Sequence, residues 1–258
     1  MTLGLAAPAQ AVDKIDYYVA LGDSYAAGQG AGPYLDACFR SENAYSELAD
    51  ALKTVKVVTN SACSGKTTQD VVNTQLGQLN RKTELVTITA GGNNLGFANI
   101  VTYCLTAASD PTNVAAGQAC VTARTYAETL IGDGTGPLYS DVVAMIHSVQ
   151  AAAPNAKIVV TGYPYLFDPL TSAPSDPLSL FIYQATVLAN GLNLSIARAA
   201  GATGVEYVGV TAAFAGHGAF SGDPWINFAP VASPDNLHPN AEGYKAYFSA
   251  LSSAGVYK

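Results

Sequence analysis

Five short runs of apolar and β-branched residues recur along the chain, with longer amphipathic stretches between them. The runs are too continuous for a sheet with one solvent-exposed face, so they predict strands that are covered on both faces. The predicted strands are Tyr17–Leu21, Val55–Thr59, Leu85–Thr89, Lys157–Thr161 and Val205–Gly209.

The stretches between these runs have the spacing of helices, and some carry helix-boundary signals. Thr67 opens a cap-like Thr-Thr-Gln-Asp segment, Pro154 follows one helical pattern and Gly201 ends another. The predicted helices are Ala44–Leu52, Thr67–Leu79, Tyr139–Ala153, Leu180–Ala200 and Asn240–Leu251. Strands alternating with helices predict a doubly wound α/β/α sandwich around a mainly parallel five-stranded sheet.

Two longer segments interrupt this alternation. Residues 102–136 are rich in Gly, Thr and Ala and contain two cysteines, and residues 163–178 contain four prolines. We interpret both as insertions, which serve either as substrate-binding loops or as plain surface covering. The sequence shows no internal repeat and no interdomain linker, so residues 12–258 are expected to form a single domain.

Composition and charge narrow the class of protein. The 258 residues are 49% hydrophobic and only 12% charged, with a net charge of −7. A nucleic-acid-binding surface would need a basic face, so we expect no nucleic-acid partner. No apolar run approaches the ~18 residues of a transmembrane helix, so none is expected.

The N-terminal sequence resembles the end of a secretory signal peptide. Residues 1–11 end in Ala9-Gln-Ala11 after a short apolar run, which is typical of a signal-peptide cleavage site. We interpret them as a signal-peptide remnant, with a disordered leader as the alternative, and we expect a secreted protein.

Four cysteines fit this localisation. An even number of cysteines in an exported chain suggests disulfides, and four cysteines allow three pairings. We favour the sequence-local pairs Cys38–Cys63 and Cys104–Cys120, with four free thiols as the alternative. A structural zinc site is not expected, because the chain has no Cys-x-x-Cys pair and only three histidines.

Three polar segments contain the residue types of acyl-transfer chemistry. They are Gly22-Asp-Ser-Tyr25 after the first strand, Gly91-Gly-Asn-Asn94 after the third and Asp235-Asn-Leu-His-Pro239 near the end. A fourth turn, Ser64-Gly65, follows the second strand. Because sites in parallel sheets lie beyond the carboxyl ends of the strands, the turns that follow the strands are expected to meet at one edge.

In these segments the chain resembles the SGNH (GDSL-type) hydrolase family, and especially its secreted actinobacterial esterases and lipases. The four signature residues of the family correspond to Ser24, Gly65, Asn93 and His238, in that order. The resemblance covers residues 17–247. It implies the flavodoxin-like SGNH hydrolase fold and a serine esterase or lipase that needs neither a cofactor nor a metal ion.

The resemblance also implies a role for each reactive residue. Ser24 would be the nucleophile, His238 the general base, and Asp235 the carboxylate that orients the imidazole. In some family members a backbone carbonyl replaces that carboxylate. The alternatives are that Ser24 only caps a helix and that Asp235 only belongs to a turn.

The oxyanion hole implied by the resemblance consists of the Ser24 and Gly65 backbone N–H groups and the Asn93 side-chain amide. Turn and loop roles are the alternatives for Gly65 and Asn93. Relatives usually carry aspartate where this chain has Asn94, so we expect altered support of that loop without loss of activity. Asp23 is expected to fix the nucleophile turn and not to act as the triad acid.

The other two histidines are weaker candidates. His147 lies in a predicted amphipathic helix, where a surface or core role is expected. His217 lies in a Gly-His-Gly turn, and a substrate-side role there stays open.

The leading hypothesis is extracellular hydrolysis of carboxylic esters through an acyl-enzyme on Ser24. A phospholipase A, an acyltransferase and a carbohydrate deacetylase could use the same residues and are the alternatives. A binding module without activity would show degraded motifs, whereas all of them are intact here. The expected ligand is a small-molecule or lipid ester, and the protein is expected to be a monomer.

Overall fold

The computed structural model describes residues 14–172, 174–229 and 231–258, so the predicted leader at residues 1–11 lies outside it. The described residues contain one parallel sheet with the strand order β2-β1-β3-β4-β5. Its strands are β1 (Ile15–Gly22), β2 (Val55–Asn60), β3 (Leu85–Thr89), β4 (Lys157–Thr161) and β5 (Glu206–Val208). The predicted five-stranded parallel sheet is therefore confirmed, with small shifts at the strand ends.

Helices cover this sheet in two groups. One group consists of α2 and α8, which contact each other, and the other is centred on α6, which contacts α3 and α7. The helices are α1 (Ser24–Ala27), α2 (Tyr45–Asp50), α3 (Thr68–Thr74), α4 (Phe97–Ser109), α5 (Val114–Ile131), α6 (Pro137–Ala152), α7 (Pro177–Thr203) and α8 (Ala241–Ser253). The predicted doubly wound α/β/α arrangement is confirmed.

Residues 102–136 are not the irregular insertion that the sequence suggested. They contain most of α4 and the whole of α5, which pack against each other. The Cys104–Cys120 disulfide crosslinks the two helices. The described residues between 163 and 176, in contrast, form no regular element before α7 begins at Pro177.

Both predicted disulfides are present. Cys38–Cys63 links the loop after α1 to the turn after β2, and the Ser64 N–H donates to the Cys38 carbonyl at 3.1 Å. The loop after α1 is thereby tied to the turn that contains Gly65.

The helix α7 is long and apolar enough to cross a bilayer by length and composition alone. Its buried side chains, among them Phe181, Leu192 and Ile196, belong to the same hydrophobic core as the strands. This placement is that of a core helix.

The carboxyl ends of β1 and β3 converge closely. A Cβ added to Gly22, which has φ +132°, would lie 2.0 Å from the Thr89 carbonyl oxygen, so only glycine fits there. The next residue, Asp23, donates its N–H to the same oxygen at 2.9 Å. This contact places the residues that follow β1 beside those that follow β3.

Candidate active site

Ser24 is the first residue of α1 and follows β1 after a single intervening residue. Asp23 is the N-cap of this short helix, and its Oδ1 accepts a hydrogen bond from the Tyr25 N–H at 2.9 Å. The capping role considered for Ser24 therefore belongs to Asp23, as expected for a residue that fixes the turn. The Ser24 side chain is left free to react, and the residue as a whole is only 7% exposed.

His238 reaches Ser24 from the opposite end of the sequence. Its Nε2 lies 2.8 Å from the Ser24 Oγ, across a sequence separation of 214 residues. The histidine stands just before α8, whose N-cap Asn240 accepts from the Gly243 N–H. The predicted pairing of serine and histidine at one sheet edge is thus what the structure shows.

Asp235 does not hold the imidazole, contrary to the prediction. The His238 Nδ1 instead lies 2.9 Å from the Asn236 carbonyl oxygen. The Asp235 Oδ1 accepts a hydrogen bond from the Tyr34 hydroxyl. Within the described residues, the orienting group for His238 is therefore a backbone carbonyl. Because a carbonyl only accepts, this contact places the ring proton on Nδ1 and leaves Nε2 free to accept from Ser24.

The imidazole is held in its neutral form. Burial lowers the pKa of His238 to about 4, although the Asn236 carbonyl and the charge of Asp235 both favour the protonated ring. At neutral pH the ring is therefore a free base in hydrogen-bonding distance of the Ser24 hydroxyl, as a general base must be.

The predicted oxyanion donors meet at one cavity. Gly65 has φ +77° in the turn after β2, and Asn93 lies in the turn after β3. Both line the same cavity as Ser24 and His238. The Asn93 amide donates to the Lys66 carbonyl at 3.0 Å, which fixes its side chain beside the Gly65 turn. The hole itself stays a prediction.

Asn94 supports this turn through the start of α3. Its Oδ1 accepts from the Thr68 N–H at 3.0 Å, and its Nδ2 donates to the Thr68 hydroxyl at 2.8 Å. The same amide lies 3.4 Å from the Asp141 carboxylate. An aspartate at position 94 could still accept from the Thr68 hydroxyl, but it would face Asp141 with a like charge. The amide therefore suits this particular pair of neighbours.

The cavity beside Ser24 has a volume of about 840 Å³. The residues of the candidate site line one part of it, and α4 and α7 supply a wall that is mostly apolar. This wall includes the side chains of Phe97, Val101, Leu105, Leu188 and Leu192. The sequence analysis left residues 102–136 open between substrate binding and surface covering, and Leu105 of this segment lines the cavity.

The two remaining histidines lie outside this cavity. His147 is exposed on α6. His217 stacks on Trp225 with ring centroids 3.5 Å apart, and its Nδ1 contacts the Asp223 carbonyl. In the described part of the chain, no three His, Cys, Asp or Glu side chains cluster as metal ligands.

The sequence analysis also missed Tyr163. It lies just after β4, is buried, and lines the cavity. Its position after a strand was the only available signal, and a segment rich in proline obscured it.

Comparison with known proteins places this site in a family. Residues 20–246 match the GDSL-like Lipase/Acylhydrolase family. The chain is 35% identical over 241 residues to "Lipase" from Streptomyces rimosus, covering 92% of this chain and 86% of that one. It is 35% identical over 260 residues to "Lipase 1" from Streptomyces coelicolor, covering 96% and 91%.

Solved structures agree with these sequence matches. The structure is similar to that of an extracellular lipase from Streptomyces rimosus, with a TM-score of 0.79 and 33% identity over 93% of this chain and 99% of that one. It is also similar to phospholipase A1 from Streptomyces albidoflavus, with a TM-score of 0.76 and 33% identity over the same shares. Matches of this extent show that the chain belongs to the GDSL-like lipase/acylhydrolase family.

Proposed function

We propose that this protein is an exported hydrolase of carboxylic esters that works through an acyl-enzyme on Ser24. The observation that carries the proposal is the 2.8 Å contact between the Ser24 Oγ and a neutral His238 at the mouth of an apolar cavity. Export is supported by two disulfides, which persist in oxidising compartments, and by the similar extracellular lipase.

The first half of the reaction forms the acyl-enzyme. His238 Nε2 takes the hydroxyl proton while the Ser24 oxygen bonds to the ester carbonyl carbon. The carbonyl oxygen becomes an anion, which the Ser24 N–H, the Gly65 N–H and the Asn93 amide are suited to bind. The intermediate then expels the alcohol, which takes its proton from His238.

The second half of the reaction repeats these steps with water. His238 removes a proton from water, and the hydroxide oxygen attacks the acyl carbon. Collapse of the second intermediate releases the carboxylic acid and returns the proton from His238 to Ser24. Throughout both halves the Asn236 carbonyl would keep the Nδ1 proton in place and stabilise the protonated ring.

We place the acyl chain of the substrate against the wall formed by α4 and α7. This wall presents apolar side chains such as Val101, Leu105 and Leu192, although Thr102, Thr106 and Ser109 of α4 also line the cavity. Burial of an acyl chain there gains about 0.8 kcal/mol per methylene group. Esters with an apolar acyl chain are therefore the preferred substrates.

Initial rates on p-nitrophenyl esters from acetate to palmitate, measured beside Ser24→Ala, test this function. We expect the variant to lose at least 10³-fold in kcat. Ester hydrolysis by the variant at the wild-type rate would contradict the role of Ser24. Product analysis on phosphatidylcholine, and in the presence of a competing alcohol, separates simple ester hydrolysis from phospholipase and acyltransferase activity.

The acyl-chain site has a matched pair of variants. Leu105→Trp fills the cavity from α4, whereas Val121→Trp places the same side chain on the exposed part of α5. We expect Leu105→Trp to shift the optimum toward shorter chains and Val121→Trp to leave it unchanged. Identical chain-length profiles of the two variants would place the acyl chain elsewhere.

A further inference from the structure

Tyr163 stands where the turns after β1 and β3 meet the helix α7. Its backbone is fixed by Asn193 of α7, which accepts from the Tyr163 N–H at 2.8 Å and donates to the Tyr163 carbonyl at 3.0 Å. The Asn193 side-chain amide thus makes the two backbone hydrogen bonds that a neighbouring strand would otherwise make with Tyr163. Its phenol ring lies at the cavity wall and packs edge-on against the Tyr25 ring, with the two ring centroids 5.1 Å apart.

The hydroxyl of Tyr163 joins two turns that are far apart in sequence. It donates to the Asp23 Oδ2 at 2.5 Å and accepts from the Gly92 N–H at 3.1 Å. Asp23 is the residue before Ser24, and Gly92 is the residue before Asn93. One oxygen atom therefore connects the turn of the nucleophile to the turn of the predicted amide donor.

The Asp23 carboxylate is buried, so loss of a hydrogen-bond donor to it would cost free energy. Burial raises the pKa of Asp23 to about 7, while the Tyr163 hydroxyl and the Tyr25 N–H oppose that rise. No cation lies within salt-bridge distance of Asp23 in the described residues. Hydrogen-bond donors alone therefore compensate the buried carboxylate, and the Tyr163 hydroxyl is the one that comes from outside its own turn.

We infer that Tyr163 is a positioning residue for the reaction, and that its hydroxyl sets the spacing between the Ser24 turn and the Asn93 turn. The inference rests on the proposed function, because that spacing matters only if both turns stabilise the same oxyanion. Oxyanion donors act on charge that develops in the transition state. A shift between the turns therefore lowers turnover more than it lowers substrate affinity.

The test compares Tyr163→Phe with Tyr165→Phe. Tyr165 is a matched control two residues away, because its hydroxyl also bonds to a side chain of α7, the Asn190 Oδ1 at 2.5 Å, but touches neither turn. We expect Tyr163→Phe to lower kcat by about 10- to 100-fold, since a misplacement of about 1 Å costs on the order of 10²-fold. We expect KM to change less than threefold and Tyr165→Phe to resemble the wild type.

An alkylboronic acid separates positioning from a general structural defect. Its boron bonds to the Ser24 oxygen, the serine proton passes to His238, and the resulting tetrahedral anion resembles the oxyanion intermediate. We expect the affinity for this inhibitor to fall by the same factor as kcat in Tyr163→Phe. If kcat falls while the inhibitor affinity stays at the wild-type value, the inference is wrong.

Two further arms keep the outcomes distinct. Asp23→Ala removes the acceptor of the Tyr163 hydroxyl, so it should show the same split between kcat and KM, and it replaces Tyr163→Phe if that variant does not fold. Unchanged kcat in Asp23→Ala or in folded Tyr163→Phe overturns the inference. If the wild type itself is no more active than Ser24→Ala, the proposed function fails instead.

Discussion

Ser24 and His238 are held in place by different means. The position of Ser24 follows from the backbone: β1 ends two residues before it, α1 begins with it, and the Asp23 N–H is bonded to β3. His238 lies in an irregular loop outside any strand or helix. Backbone elements therefore bring Ser24 to the sheet edge, whereas His238 reaches it only through contacts of its loop with other segments.

Those contacts come from the segment that follows the nucleophile. The Tyr25 hydroxyl donates to the Leu237 carbonyl at 2.5 Å, and the Gln29 amide donates to the Pro234 carbonyl. The Tyr34 hydroxyl donates to Asp235. The nucleophile segment thus supplies the side chains that position the base, and single substitutions there should affect the base without disturbing the sheet.

The base loop also contains backbone strain. Leu237, next to His238, has φ +63°, a conformation that a leucine rarely adopts and that costs about 1–3 kcal/mol. The Leu237 N–H donates to the Asn227 carbonyl at 2.7 Å, and its own carbonyl accepts from Tyr25. The hydrogen bonds around Leu237 hold this conformation.

Loss of the base gives the largest expected effect. We expect His238→Ala to lower kcat by about 10⁴- to 10⁶-fold, because without it no group accepts the Ser24 proton. His217→Ala is the control, since that ring stacks on Trp225 outside the cavity, and it should stay within threefold of the wild type. Steady-state rates on one ester measure both, and equal losses would refute the assignment of the base.

The pKa values of His238 and of Asp23, the residue before Ser24, are shifted in opposite directions. The stability associated with His238, whose folded pKa of about 4 is below its usual value, is present above pH 6.5 and lost as pH falls toward 4. The stability associated with Asp23, whose folded pKa of about 7 is above its usual value, is present below pH 3.8 and lost as pH rises through 7. Between these limits the two effects oppose each other.

Asp23→Asn should remove the pH-dependent contribution of Asp23 to stability and leave that of His238. On acidification from pH 6.5 to 4.5 we expect the variant to lose about 2 kcal/mol more unfolding free energy than the wild type. Urea unfolding at the two pH values measures the difference. Parallel pH dependence in the two proteins would show that Asp23 is already ionised at pH 4.5 in the folded state.

Tyr25→Phe tests how the base loop is held. Without the hydroxyl, the Leu237 carbonyl loses its donor and the loop loosens, so we expect kcat to fall about tenfold. A more hydrated imidazole also regains a pKa nearer 6.5, so activity should begin to fall at a higher pH on acidification. The pH profile of kcat/KM from pH 4 to 8 measures this shift, with Tyr126→Phe on exposed α5 as control. Coincident profiles would mean that Tyr25 does not control the loop.

Asp235→Asn gives the smallest expected effect. Because the imidazole faces the Asn236 carbonyl and not Asp235, we expect a loss below tenfold in kcat, against about 10⁴-fold for a carboxylate that orients a catalytic histidine. The asparagine oxygen can still accept from Tyr34. A loss above 10³-fold would restore Asp235 as the orienting acid.

The sequence predicted the sheet well and the α4–α5 pair badly. Continuous apolar and β-branched runs such as Leu85–Thr89 are buried on both faces, which is the environment of a central strand in a covered sheet. The helices α4 and α5 are rich in threonine, which disfavours helix by intrinsic propensity. In the structure the hydroxyls of Thr102 and Thr129 donate to carbonyls four residues earlier, and packing and a disulfide stabilise the pair.

In the candidate site, too, some features could be predicted from the sequence and others could not. The meeting of Ser24 and His238 could be predicted because strand ends and motif order determine it. The sequence left the partner of the His238 Nδ1 open between Asp235 and a backbone carbonyl, because the conformation of the loop, with its positive φ at Leu237, could not be predicted. The contacts of Tyr34 and Tyr163 depend on loops without periodicity, so no sequence pattern indicated them.

The sequence separation of 214 between the two reactive residues has a consequence for biosynthesis. A nascent chain on the ribosome carries Ser24 within its first strand–turn–helix unit, but it lacks a base until residues near 238 have emerged. Sheet formation and hydrolytic competence are therefore separate events in time. In a refolding experiment, recovery of circular dichroism should precede recovery of ester hydrolysis, and the delay would report the docking of the base loop.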